Sequence, residues 1–252
     1  MKPLQFLTAA LVILFLPGHL PADPAPKEEL LATEKDRKES AEADRKLNEA
    51  WAKATAGLDD ERLKKLKKDQ HDWLRYRDAM ALSPLYLGTD ADSEKKIRGL
   101  ASHFAAISVL TAERTEWLSA WNAPLPAGGS VQGRWIDSYG GTLELAKPEG
   151  DETGQLHFRF RVVRGDTSHL GEISGAASWN GRTGLFTDRG RADTDGEAII
   201  VFVLRGTEME VVASGTTAYH GMKAYFDGDY VRVGGLSKTG RKEVLEAATR
   251  KD

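Results

Sequence analysis

Two polar side chains stand where a helix should bury its apolar stripe. In Leu63 to Asp78, LKKLKKDQHDWLRYRD, the residues Leu63, Leu66, Gln70, Trp73 and Arg77 fall at alternating steps of three and four. Lys64, Lys65, Lys67, Lys68 and Asp72 point mainly elsewhere. An amide and a guanidinium on a buried stripe need partners, because an unpaired buried polar group costs roughly 1–3 kcal/mol and a charge more. The spacing therefore predicts a facing helix with a carboxylate or amide at matching height. Asp44 and Asn48 on an earlier helix are candidates, Glu113 on a later one is the rival for Arg77, and Asp78, off the stripe, is placed to pair with Arg75. The group reads either as a buried polar staple that fixes helix register or as part of an interaction surface.

The other patterns that carry chemistry are weaker. Of six histidines none sits in a tight metal-ligand spacing, and His157 and His169, on neighbouring strands, lack a third ligand and read as surface residues. Asp188, Asp193 and Asp195 in TDRGRADTDGE resemble a calcium-loop fragment, but the closing bidentate Glu is missing and arginines intrude, so a solvated turn is expected. No nucleophile elbow, phosphate loop or dinucleotide fingerprint appears. The expectation is no enzyme, no metal and no cofactor. With 29% charged residues and a net charge of −3, neither nucleic acid nor an anionic membrane surface is an expected partner. Cysteine is absent, so disulfides and thiolate chemistry are excluded together.

The elements that must position these residues come in two halves. Met1 to Ala22, with an apolar run Leu4 to Leu16 broken by Pro17 and Gly18, reads as a signal peptide too short for a bilayer span of about 20 residues. The chain is then expected to be periplasmic or secreted, without stable membrane insertion after cleavage. From 27 to 122 the pattern is helical. A first helix runs from Lys27 to Thr55, with Leu47, Ala50, Trp51 and Ala54 on one face and a break at Gly57 before Asp59 as the next cap. The central helix spans Asp60 to Leu82 and stops at Ser83-Pro84. A third spans Ser93 to Trp121, with Ile97, Leu100, Phe104, Ile107, Thr111, Arg114, Leu118 and Trp121 at three–four spacing. Three antiparallel helices are expected.

After a Pro- and Gly-bearing linker at 123–132, the period changes to two. Eight strand candidates lie between Arg134 and Val233, among them Gln155–Val163, where Leu156, Phe158, Phe160 and Val162 alternate with His157, Arg159, Arg161 and Val163. One face should be buried and the other mostly wet. The expectation for 133–234 is a small antiparallel up-and-down barrel or a strongly curved sandwich, making the chain α+β in two domains. Residues 235–252 read as a charged tail with a short helix from Arg241 to Thr249.

Asp44, Leu47, Asn48 and Trp51, followed by Leu66, Gln70, Trp73, Leu74, Tyr76, Arg77 and Asp78, and then Thr111 and Arg114, together form a pattern that resembles the N-terminal domain of the LprI family of bacterial lysozyme inhibitors. The resemblance covers about residues 30–122. It implies an envelope protein that binds a lysozyme, or another envelope protein, by blocking a cleft, with no catalytic residue of its own. The chain departs from the family in lacking the cysteine pair that ties its later helices. In the second half, Gly133-Arg134-Trp135 and Phe226-Asp227-Gly228-Asp229-Tyr230 are loosely similar to lipocalin-like barrels. That resemblance implies Trp135 as a plug at the barrel bottom and, as the alternative function, a small apolar ligand at the mouth, with Asp227, Gly228 and Tyr230 at the closing strand.

Overall fold

The computed structural model describes residues 30–87, 93–121, 123–150, 154–165, 168–188 and 197–249. Among them the chain is α+β in two domains, a helical region followed by an eight-stranded antiparallel barrel. The segment expected to be a signal peptide, the turn Gly88 to Asp92, and Asp193 and Asp195 lie outside the described residues.

Helix α1 spans Glu34–Thr55 and opens with a capping box, in which the Thr33 amide donates to Asp36 Oδ2 at 2.7 Å and the Asp36 amide donates back to Thr33 Oγ1 at 3.3 Å. Helix α2, Asp60–Met80, is capped by Asp59, which accepts from the Arg62 amide at 2.8 Å. Pro84 does not end the helical path. It begins a single turn, α3 (Pro84–Leu87), as its fixed φ and missing N–H allow at a first helical position. The expected third helix is divided into α4 (Glu94–Ile97) and α5 (Ala101–Ala120). Between them the Ala32 amide donates to Gly99 O and the Ala101 amide to Leu30 O, both at 2.9 Å, so Leu31 and Leu100 form a short antiparallel bridge. Backbone groups that would continue the helix are used by the arm preceding α1, at a glycine that favours helix weakly.

The barrel strands are β1 (Gly133–Ile136), β2 (Thr142–Ala146), β3 (Gln155–Arg164), β4 (His169–Trp179), β5 (Thr183–Asp188), β6 (Ala198–Arg205), β7 (Glu208–Ser214) and β8 (Gly228–Gly234). Each pairs with its sequence neighbour, and β8 pairs with β1 to close the ring. Closure is tight at Gly133. A Cβ there would lie 2.2 Å from Gly234 O, so only glycine fits beneath the last strand. Inside, Phe160 contacts the rings of Phe158, Phe202, Phe226 and Tyr230 at centroid distances of 5.4–5.9 Å, and all five are fully buried.

The outer face of β3 is wet only in part, for Arg161 is exposed as alternation predicts while His157 and Arg159 are not. Helix α6 (Lys238–Ala247), formed by the tail, lies across β2, β3 and β4. Arg159 bridges Glu144 (2.5 Å) and Glu243 (3.2 Å), while Arg241 donates to Gln132 Oε1 at 2.6 Å. Arg159 and His157 are consequently buried, and His157 is not a surface residue. The helical domain covers another outer sector, where Trp117 and Leu118 of α5 pack with Ile136 of β1 and Val231 of β8. No helix among the described residues is long and apolar enough to cross a membrane.

Candidate functional site

The stripe on α2 meets its partners, though not all of those expected. Trp73 is almost fully buried, with the guanidinium of Arg77 and that of Arg114 each 5.5 Å from its ring. Arg77 donates to Asp44 Oδ1 at 3.1 Å and to Asp78 Oδ1 at 3.0 and 2.9 Å. Asp44 is thus a partner as expected, but Asp78 pairs with Arg77 rather than Arg75. Asn48 is exposed, because it lies on the solvent side of the face that carries Leu47. Gln70 takes its partner from α5, where Arg114 Nε donates to Gln70 Oε1 at 2.9 Å.

Arg114 is the deepest member. Its side chain is wholly inaccessible, lies 4.3 Å from the Trp117 ring, and donates to Asp69 Oδ2 at 2.5 Å and to the Ser138 carbonyl at 3.2 Å. Burial pulls its pKa down while the Asp69 carboxylate opposes the shift. The contact with Ser138 carries this helical network into the β1–β2 turn of the barrel. Asp69 was the residue that sequence reasoning missed, since it sits one position off the stripe and reaches inward only because Arg114 is long.

Glu113, the expected rival for Arg77, faces the barrel instead. Its carboxylate packs against the Gly140 backbone, where a Cβ would meet Glu113 Oε2 at 2.5 Å. Desolvation, with Glu116 and Asp137 nearby, pushes its pKa up to about 7, and Arg134 opposes them. Behind that turn Asp137 accepts from the amides of Tyr139 and Gly141 at 2.9 and 2.8 Å and pairs with Arg164, a wholly buried ion pair.

The barrel candidates are internal. Trp135 is fully buried and donates through Nε1 to Val131 O at 2.8 Å, and Tyr230, equally buried, donates to Phe226 O at 2.9 Å. Asp227 accepts from the Ala213 amide at 2.9 Å and so ties the segment before β8 to β7, with Gly228 opening β8 beside it. Asp188 accepts from the Tyr219 hydroxyl. Ser174 to Trp179 lies within β4. His157 and His169 are on adjacent strands but far apart along them, since His157 pairs with Ala176 and His169 with Arg164. Among the described residues no group of three His, Cys, Asp or Glu could hold a metal ion.

Where the helices meet the barrel a cleft of about 450 Å³ opens between Asp72, Arg75 and Tyr76 of α2, Tyr139 of the β1–β2 turn, Arg164 and Gly165 at the end of β3, and Tyr225. No spacing in the sequence links these residues. A second groove, about 600 Å³, runs between α1 and α5. Its walls are the charged face of α1, where Lys35, Lys38 and Lys46 pair with Glu39, Glu34 and Glu42 of the same helix.

Residues 33–118 match the family model described as lysozyme inhibitor LprI. The match takes in α1 to α4 and all but the end of α5, including the Asp44, Gln70, Trp73, Arg77 and Arg114 cluster, and stops before the barrel. No curated protein and no solved structure matches the chain.

Proposed function

We propose that this is an exported, non-catalytic envelope protein that binds another protein, and that its partner is a lysozyme. The observation that carries the reading is the match of residues 33–118 to a family described as a lysozyme inhibitor. The arrangement of the motif residues is compatible with it. Gln70, Trp73 and Arg114 are used up in internal contacts, so they act by holding three helices and the β1–β2 turn in one rigid body, not by touching a partner. A blocking protein needs that rigidity, because a preorganised surface loses little entropy on docking. Asp44 and Asp78, each about half exposed on either side of Arg77, leave an acidic edge on the helical domain. Such an edge would speed encounter with a basic lysozyme more than it would tighten the complex.

The alternative, a small apolar ligand inside the barrel, is compatible with a closed eight-stranded ring. The middle of that ring is already occupied by five aromatic side chains, which favours the protein-binding reading. The test is lysozyme activity on cell walls titrated with the purified chain. Saturable, dose-dependent inhibition is expected, and it should weaken as salt rises. Full lysis at a large excess of folded chain would remove lysozyme as the partner.

A further inference from the structure

The cleft between α2 and the barrel is lined by two guanidinium groups and one carboxylate. Three acids in and near it are paired with a cation. Asp69 is held by Arg114, Asp72 by Lys68 at 2.7 Å, and Asp137 by Arg164. Arg75, on the same wall as Asp72, is near enough to help lower the Asp72 pKa after Lys68, yet forms no ion pair among the described residues. The polar groups left unsatisfied there are donors. Arg164 Nε is buried without a hydrogen-bond partner, although the rest of that guanidinium is held by Asp137 and the Val163 carbonyl. The phenols of Tyr139 and Tyr225 make no hydrogen bond with a described residue, and both residues line the cleft. Burial and the neighbouring Asp69 and Asp72 carboxylates raise the Tyr139 pKa, which keeps it a donor.

The walls are also fixed in place. Tyr76 donates to Val163 O at 3.2 Å and meets Tyr139 edge to face at 5.1 Å, and the Tyr225 ring lies 5.1 Å from the Arg164 guanidinium. A cleft of this size falls within the roughly 300–1,000 Å³ typical of small-ligand sites. Two lining guanidinium groups against one lining carboxylate, with the Arg164 Nε–H and two phenol hydroxyls free to donate, describe the complement of a carboxylate, and aromatic walls suit a flat group carrying it.

We propose that this cleft is a carboxylate-binding site in which Arg75 supplies the charge, Tyr139 and Tyr225 supply hydrogen bonds, and Arg164 forms the floor. The site stands without the lysozyme reading. The carboxylate comes either from a free small acid or from an acidic side chain of a protein partner, and the two sources make the same contacts.

The test uses the full chain and two probes, benzoate and its neutral isostere benzamide, followed by NMR at the Gly165 amide and the Nε–H groups of Arg75 and Arg164. Benzoate should give saturable shifts confined to these positions. Benzamide should bind at least about tenfold more weakly, as the loss of a charge-assisted hydrogen bond implies. Arg75→Gln should weaken benzoate by about tenfold, and Tyr225→Phe by a few-fold, with the melting temperature unchanged in both. Absence of shifts at Gly165 and Arg164, equal binding of the two probes, or undiminished binding by Arg75→Gln would overturn the proposal. Adding lysozyme to the benzoate-saturated chain separates the sources. Displacement of lysozyme by benzoate assigns the carboxylate to a partner side chain. Retained lysozyme binding, or no lysozyme binding with or without benzoate, assigns it to a free acid, and the last result refutes the lysozyme reading while leaving the site in place.

Discussion

The helical half and the barrel solve the same problem with opposite materials. Three helices can slide and rotate against one another, because their backbone hydrogen bonds are satisfied within each helix and say nothing about the neighbour. Register between α1, α2 and α5 is therefore set by side chains, and here by polar ones, with Asp44, Gln70, Asp69, Arg77 and Arg114 arranged around Trp73. In the barrel the backbone ladder sets register from β1 round to β8. Its interior can be filled by rings that have shape but no directional demand. Between the helices polar groups set the register, whereas the buried polar groups of the barrel, Arg159 under α6 and the Asp137–Arg164 pair at the β1–β2 turn, lie outside its aromatic centre.

This contrast predicts different failures. Phe160→Ala should have the largest effect, about 3–5 kcal/mol, because four neighbouring rings lose a contact and cannot collapse into the gap within a closed ladder. Urea unfolding followed by near-ultraviolet circular dichroism should show it, with the helical signal following only through the shared seam. Arg114→Ala should cost about 3 kcal/mol. It leaves Gln70 and the Ser138 carbonyl without a donor, whereas Asp69, partly exposed, recovers some hydration. Its mark should be loss of helical-domain cooperativity while the barrel transition stays in place. A single shifted transition for both variants would mean the two halves are one cooperative unit and the contrast is only geometric.

Much of this division was legible in the sequence. The period-two run from Leu156 to Val163 and the Gly- and Asp-rich turns announced the barrel, and a stripe containing Gln70 and Arg77 announced a polar helix interface. Pairing was not legible. Any acid or amide at the right height satisfies Arg77, so Asp44, Asn48 and Glu113 were equivalent until the helices had an orientation. The division of the third helix at Leu100 was hidden because it rests on backbone exchange with Leu30 and Ala32, which leaves no side-chain signature. Arg159 looked wet because the acid that covers it, Glu243, lies 84 residues away on a helix too polar to suggest docking. The cleft was invisible for the same reason, since Tyr76, Tyr139 and Tyr225 come together only when the helices sit on the barrel.

The seam itself can be titrated. Glu113 stands between α5 and the Gly140 turn, where desolvation above all raises its pKa, to about 7 from a usual 4.5, with Arg134 opposing and Glu116 and Asp137 adding to the rise. Below pH 4.5 both folded and unfolded chains hold this proton, and Glu113 has no effect. Between 4.5 and 7 the unfolded chain releases it while the folded chain keeps it, so stability falls as pH rises through this window and levels off above it. Glu113→Gln should match the parent near pH 4 and exceed it by about 2 kcal/mol at pH 8, less than the full shift implies because the side chain is only partly buried. A variant with the parent's pH dependence would place the seam's titration elsewhere.

The smallest effect should come from the most conspicuous residue of the stripe. Arg77 has the same charge as Arg114, the same distance from Trp73 and more hydrogen bonds to carboxylate, so an inventory of contacts would rank it first. Burial reverses the ranking. Its acids are about half exposed, and water can replace the guanidinium at both. Arg77→Ala should therefore lower stability by only about 1 kcal/mol, a melting shift of a few degrees. Its loss should also be reduced by salt, whereas that of Arg114→Ala should not, because screening reaches exposed pairs and not enclosed ones. Equal losses with equal salt dependence would show that the number of contacts, not their enclosure, decides what a polar residue does between helices.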